Sequence, residues 1–358
     1  MPFLCRFRWF ARSAPLSVAL LVTLMPFLVG EALTVAAQDA SPAAGSAPAL
    51  SLGWADSFDE EDGTLNVATT VTPISSIARN VGGTRIDLRG IVPDGTNSHT
   101  FEPAPSDAKV LAKADLVIVN GLDLEDPTIE LANANLKAGA EVFSLGDKTI
   151  SEGEYAYDFS FPEEGGKPNP HLWMNVPFAM RYAELIAAKL AERDPANAGY
   201  YRENLDRYLA VLRELDAGIR ASVQTIPEAN RRLLTYHDSY AYFARNYGMT
   251  VIGAAQPSDF SEPSPREVAG LIDQIKAERV PAVFGSEVFP NPVLEQIAKE
   301  AGATYIDELR DDDPPGEVGA PEHTYVGMML KDMELMIPAL GGNVEALAGI
   351  APYDTYLP

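Results

Sequence analysis

The sequence predicts an α/β protein built as two Rossmann-like β/α lobes joined by a long connecting helix. Three observations carry that expectation. Short apolar runs alternate with helical patterns from residue 64 to 145. Two helical patterns with no strand between them then fill 176–223. Alternation resumes at 231 and ends in a last helix near 340. Alternating strands and helices of this kind form parallel sheets covered by helices.

Each element follows from its own pattern. The β-branched run TLNVATTV (64–71) reads as a strand, and PISSIARNVGG after it as a short helix ending in glycine. RIDLRGIV (85–92) is the next strand. PSDAKVLAKA (105–114) is a helix with Ser106 as its expected N-cap. DLVIVNG (115–121) is continuously apolar, as a strand buried on both faces must be. A helix over 126–137 and the strand AEVFSL (140–145) complete the first half. Segment 151–169 is acidic and glycine-rich, which predicts a mobile, solvated loop.

Apolar residues three and four apart then mark VPFAMRYAELIAAKLAERD and AGYYRENLDRYLAVLRELDAGIRASV as helices, the second acting as a connecting rod. In the second half RRLLTY, MTVIGA, PAVFG and ATYI read as strands. SYAYFARNYG, SPREVAGLIDQIKAE (capped by Ser264), NPVLEQIAKEAG and HTYVGMMLKDMELMIPAL read as helices.

The expected organisation is an export signal or membrane anchor (1–37), a tether (38–63), an N-terminal lobe (64–195), the connecting helix (196–222) and a C-terminal lobe (223–358). Arg6, Arg8 and Arg12 precede the apolar stretch 14–30, and small residues near Ala37 suit cleavage. About 17 apolar residues also approach the length of an uncleaved anchor. Either way the body is placed outside the cytoplasm. Cys5, the single cysteine, precedes the apolar stretch, so it is badly placed for lipid attachment, and the body can form no disulfide. With 27 Lys+Arg against 51 Asp+Glu, the net charge of −24 argues against a nucleic-acid partner, since phosphate binding needs clustered cations.

The chain has only four histidines. His99 and His237 each follow a predicted strand, His171 precedes a helix, and Asp307 follows ATYI. Ligands of open parallel sheets bind outside the carboxyl ends of strands. Imidazoles and a carboxylate from two lobes facing one cleft form an N3O set suited to a borderline divalent ion such as zinc. Glu102, Asp238 and Glu287 are candidates for orienting these ligands. His323, in EHTY, reads as a helix-start residue instead. Neutral imidazoles are required, so affinity is expected to fall as pH drops through about 6.5.

Four blocks in order resemble the solute-binding proteins of zinc and manganese ABC transporters. They are DGTNSHTFEPAPSDAKVLAKADLVIVNGLDLE, NPHLWMN, TYHDSYAYFARNYGMTVIG and EHTYVGMMLKDMELMIPAL, together spanning about 64–340. The resemblance implies that His99, His171 and His237 ligate a metal, that the fourth ligand falls on Asp307, and that Glu287 lies near the site. It departs from the family at Asn169, where an acid is usual, and in 101–170, which lacks the histidine-rich loop of many zinc-specific members.

The function implied is extracytoplasmic capture of a divalent cation by a monomer, with delivery to a permease driven by an ATPase. Zn2+ is favoured because His237 keeps a nitrogen donor, with Mn2+ next and iron behind. A metal-dependent surface adhesin is one alternative. A zinc hydrolase with Asp307 unligated and Glu102 or Asp238 as base is another, although the chain carries no His-Glu-x-x-His helix and no nucleophile elbow.

Overall fold

A computed structural model of the chain describes residues 58, 63–258, 260–289 and 292–358. The expected leader lies outside the described residues, as does the expected tether except for Phe58 and Gly63. Phe58 corrects the tether at its end. Its ring is 1% exposed and packs among Ala68, Ile91 and Val110, and its carbonyl accepts a hydrogen bond from Lys113 Nζ at 3.2 Å.

Two four-stranded parallel sheets carry the architecture. In the first, β1 (Leu65–Thr69), β2 (Ile86–Gly90), β3 (Leu116–Val119) and β4 (Glu141–Ser144) run in the order β2-β1-β3-β4. All four residues of β3 are buried, as its uninterrupted apolar run requires. In the second, β5 (Arg232–Thr235), β6 (Thr250–Ala254), β7 (Ala282–Ser286) and β8 (Thr304–Leu309) run β6-β5-β7-β8. In each sheet the strand order reverses beside the strand listed second, and a crevice opens at the carboxyl ends there.

The helices fall where the apolar spacing placed them, with α1 (Thr72–Gly82), α2 (Pro105–Leu111) and α3 (Asp126–Asn135) in the first half. Helix α2 is capped by Ala104 rather than Ser106: Pro105 takes the first helical position, and Asp107 Oδ2 accepts the Ala104 N–H at 2.6 Å. Helices α4 (Val176–Arg193) and α5 (Ala198–Thr225) pack together, and α5, with 28 residues, is the rod. Four more helices serve the second half: α6 (Ala241–Tyr247), α7 (Pro265–Glu278), α8 (Pro292–Ala301) and α9 (Tyr325–Ala339). Ser264 caps α7 in a reciprocal box with Glu267.

The lobes do not keep separate interiors. One apolar cluster joins Val67 of β1, Ile74 of α1, Leu212 of α5, Phe284 of β7 and Met333 of α9. The last residues, expected in the C-terminal lobe, return to the first half. There Asp354 meets Arg79 at 3.4 Å, and the Leu357 N–H donates to Asn204 Oδ1 at 2.8 Å. A shared core of this kind limits how far the two sheets can rotate apart.

Strand β8 differs most from expectation. It continues three residues past ATYI, and its pairing with β7 shifts between Phe284 and Ser286. Phe284 pairs Ile306 but Ser286 pairs Leu309, so β8 carries one extra residue, a bulge. Gly285 permits it, because a Cβ there would stand 2.7 Å from the Asp307 carbonyl oxygen. The acids Asp307 and Glu308 suggest a loop by composition, but β8 is an edge strand, where charge is tolerated.

Candidate metal centre

Three histidines from three different loops meet at one point. His99 sits in a turn (98–100) that follows β2, with its backbone N–H donating to Asn97 Oδ1 at 2.9 Å. His171 follows Pro170, whose carbonyl accepts from Asn120 Nδ2 at 2.9 Å beyond the end of β3. His237 stands two residues past β5 at the crevice of the second sheet, and Thr235 Oγ1 donates to its carbonyl at 2.6 Å.

Neighbouring amides fix the tautomers. Asn169 Oδ1 accepts both the backbone N–H and the Nδ1–H of His171, at 3.0 and 2.8 Å. The amide cannot be reversed, because its Nδ2 donates to Asp158 Oδ2 and to the Asp238 carbonyl. Gln256 Oε1 accepts Nδ1–H of His237 at 2.8 Å. Both rings therefore present a bare Nε2 lone pair inward.

The three Nε2 atoms form a nearly equilateral triangle with edges of 3.0, 3.1 and 3.1 Å. These edges are slightly shorter than the edge of about 3.3 Å for a tetrahedron with Zn–N bonds near 2.05 Å. Converging lone pairs in a buried pocket repel one another unless a cation lies among them. Among the described residues this is the group of acids, cysteines and histidines whose donor atoms converge to within 4.8 Å.

The carboxylate beside the triangle is Asp311, not Asp307. Asp311 Oδ2 lies 3.8 Å from His171 Nε2 and 3.9 Å from His237 Nε2. Asp307 lies within β8, is exposed, and accepts the Tyr305 hydroxyl at 2.7 Å. The extra strand residues move the strand-end loop to 310–314, and the acid facing the crevice moves with it.

The three orienting candidates separate. Glu102 is exposed. Asp238 is buried and accepts the Phe159 N–H through Oδ2 at 3.2 Å, and its backbone carbonyl accepts from Asn169 Nδ2 at 2.6 Å. Glu287 Oε1 accepts the backbone N–H groups of Asp311, Asp312 and Asp313. Asn169, which departs from the family pattern, and Gln256, which sequence reading passed over, hydrogen-bond the Nδ1 atoms of His171 and His237. Gln256 had no legible signal, since a glutamine in a loop after β6 is unremarkable until the fold sets it beside β5.

His323 lies outside the cluster. It is buried just before Thr324, the N-cap of α9, with Nε2 3.3 Å from Asp94 Oδ2. Segment 151–169 is also not a free loop. The Ala156 N–H donates to Tyr242 Oη at 3.0 Å and Ser160 Oγ donates to the Gln256 carbonyl at 3.0 Å, so it is pinned over the site.

Burial sets the electrostatics. It holds the His237 imidazole down to about 4, although its bond to Gln256 works in the opposite direction. Burial, and then the His237 charge, holds His99 well below its usual value; burial, His237 and His99 do the same for His171. Burial thus favours the neutral, ligating form of all three rings. Burial, followed by the charges of Glu287 and Asp312, pushes the Asp311 carboxyl well up.

Comparison with known proteins finds relatives and solved structures named for metal binding. The manganese-binding lipoprotein MntA of Halalkalibacterium halodurans is 30% identical over 293 residues, covering 82% of this chain and 94% of its own. The metal ABC transporter substrate-binding lipoprotein FimA of Streptococcus parasanguinis is 28% identical, covering 78% and 90%. The periplasmic zinc-binding protein TroA of Treponema pallidum superposes with a TM-score of 0.70 at 27% identity, covering 78% of this chain and 99% of its own. A manganese-bound periplasmic metal-binding protein from Candidatus Liberibacter asiaticus, at 24% identity and a TM-score of 0.69, shares the fold. The family model of ZnuA, the periplasmic component A of a zinc-uptake complex, matches residues 67–338, and with three quarters of its length inside that match the chain belongs to the ZnuA family.

Proposed function

We propose that this protein is the extracytoplasmic solute-binding component of a metal ABC transporter, with His99, His171, His237 and Asp311 holding the cargo ion. The carrying observation is the triangle of Nε2 atoms 3.0–3.1 Å apart, with a carboxylate oxygen at 3.8–3.9 Å. A contraction of under 2 Å brings Asp311 into a tetrahedral N3O set, so the fourth position that a hydrolytic zinc keeps for water is filled.

Zinc is the favoured cargo over manganese, because three imidazoles suit the borderline ion and the affinity order places zinc above manganese. The relatives named for manganese and for zinc support a first-row divalent ion of either kind. Export to the outer face of the cytoplasmic membrane, action as a monomer, and delivery to a permease with its ATPase complete the reading. Relatives described as lipoproteins and periplasmic proteins support that location.

The test is elemental analysis of protein purified without added metal, followed by competitive titration with Zn2+ and Mn2+. His237→Ala is expected to weaken binding by more than the ~10–100-fold typical of losing an outer partner, and His323→Ala to leave it unchanged. A wild-type protein that binds neither ion would overturn the reading.

A further inference from the structure

Two phenylalanines cover the mouth of the three-histidine centre. Phe161 comes from the pinned segment 151–169, and Phe260 from the loop after β6. The Phe260 ring stacks on the His99 imidazole, with centroids 4.8 Å apart and planes 20° apart. The Phe161 centroid lies 5.4, 5.7 and 5.9 Å from those of His99, His171 and His237, and 6.2 Å from that of Phe260. Outside the rings lies a cavity of about 220 Å3, lined by Leu122, Leu124, Lys167 and Pro168 and floored by His99 and the two phenylalanines.

The cover is held under tension and tied to the ligands. Phe260 has φ of 58°, in the left-handed region, where a bulky side chain is unfavourable and persists only if its surroundings hold it. Phe161 is carried by a segment bonded across the lobes, from the Phe159 N–H to Asp238 Oδ2 and from Ser160 Oγ to the Gln256 carbonyl. Asp238 neighbours His237, and Gln256 holds the His237 ring. Movement of the cover is thus joined to movement of the ligand set.

We propose that Phe161 and Phe260 form an aromatic gate through which the cation enters and leaves, setting the exchange rates and not the affinity. This inference rests on the metal-binding reading above. A hydrated cation cannot cross two apolar rings in contact with the imidazoles, so the rings must swing aside. Return of Phe260 to a right-handed backbone withdraws its ring from His99 and opens the path to the outer cavity.

Stopped-flow measurement with zinc alone tests the gate, following uptake by metal-free full-length protein and release into excess chelator. The variants are Phe161→Ala, Phe260→Ala and Phe260→Gly, the last accepting the left-handed backbone while losing only the ring. Association and release are both expected to rise tenfold or more, with Kd held within threefold. Phe260→Leu keeps apolar bulk and is expected to give a smaller rise in both rates; it carries the test if the smaller side chains do not fold. Unchanged rates would overturn the gate. So would faster release with unchanged association, because the rings would then only be supporting His99. Absence of zinc binding by the wild-type protein would remove both readings, whereas wild-type binding with unaltered variant kinetics would remove the gate alone.

Discussion

Glu287 holds the loop that carries Asp311 by its backbone, with Oε1 accepting the N–H groups of Asp311 at 3.0 Å, Asp312 at 3.1 Å and Asp313 at 3.0 Å. Three donors on one buried oxygen fix the loop from below, and the Trp173 Nε1–H bond to the Asp311 carbonyl at 2.7 Å fixes it from the side. The carboxylate facing the histidines is therefore aimed by a residue that holds its loop through backbone N–H groups.

Glu287→Ala is expected to weaken zinc binding about 10–100-fold without removing any ligand. Calorimetric titration checks this, with Glu102→Ala as a neutral comparison because Glu102 is exposed. Equal affinities for Glu287→Ala and wild type would show that the loop holds its own shape.

Asp311→Asn should lower affinity more than Glu287→Ala does, while Asp307→Asn leaves it unchanged. The geometry makes the contrast sharp, since Asp307 is occupied by the Tyr305 hydroxyl on the exposed face of β8. A titration series on the two variants decides it, and a large loss for Asp307→Asn alone would place the fourth ligand where the sequence pattern suggested.

Metal loading should release a proton from the carboxyl and not from imidazole. The histidines are already neutral near pH 7, since burial holds them well below 6.5, whereas burial and neighbouring acids push Asp311 well up. A carboxyl with a raised value competes with the ion as pH falls, so affinity should decline with acidification even where the histidines remain neutral. Calorimetry in buffers of different ionisation enthalpy counts the proton. Asp311→Asn should abolish it, and an undiminished count in that variant would assign the proton elsewhere.

A second pH effect belongs to stability. Glu125 is buried beyond β3, accepting the Thr70 hydroxyl at 2.6 Å and the N–H groups of Asn120 and Gly121, and burial pushes its carboxyl up to about 7. The folded state then binds the proton more tightly than the unfolded state. The Glu125 contribution is complete below pH 4.5 and is lost as pH rises through 7. His237 has the opposite sign, gaining stability from about 4 up to 6.5, so it is level above that. Urea unfolding of metal-free protein should show Glu125 costing ~1 kcal/mol between pH 6.5 and 8. Glu125→Gln should flatten that part of the slope. A slope identical to wild type would exclude Glu125 as its source.

Much of the molecule was legible in the residues themselves. The buried run LVIV, the β-branched TLNVATTV and the amphipathic period of α5 report burial directly, because side-chain direction repeats every two residues in a strand and every 3.6 in a helix. The rarity of histidine and its placement near strand ends made His99, His171 and His237 stand out, and the structure does bring their Nε2 atoms together.

What the sequence by itself determined is therefore the alternation of elements, the two-lobe plan and the three imidazoles, all of which depend on local periodicity or residue type. Tertiary structure alone decided which carboxylate lies beside the histidines, the Gln256 and Asn169 partners of the rings, and the aromatic cover. Each depends on contacts between segments far apart in the chain. A bulge opposite Gly285 lets β8 run on to Leu309, so the strand-end loop facing the histidines carries Asp311 and not Asp307, because pairing register, unlike periodicity, is set by the neighbouring strand.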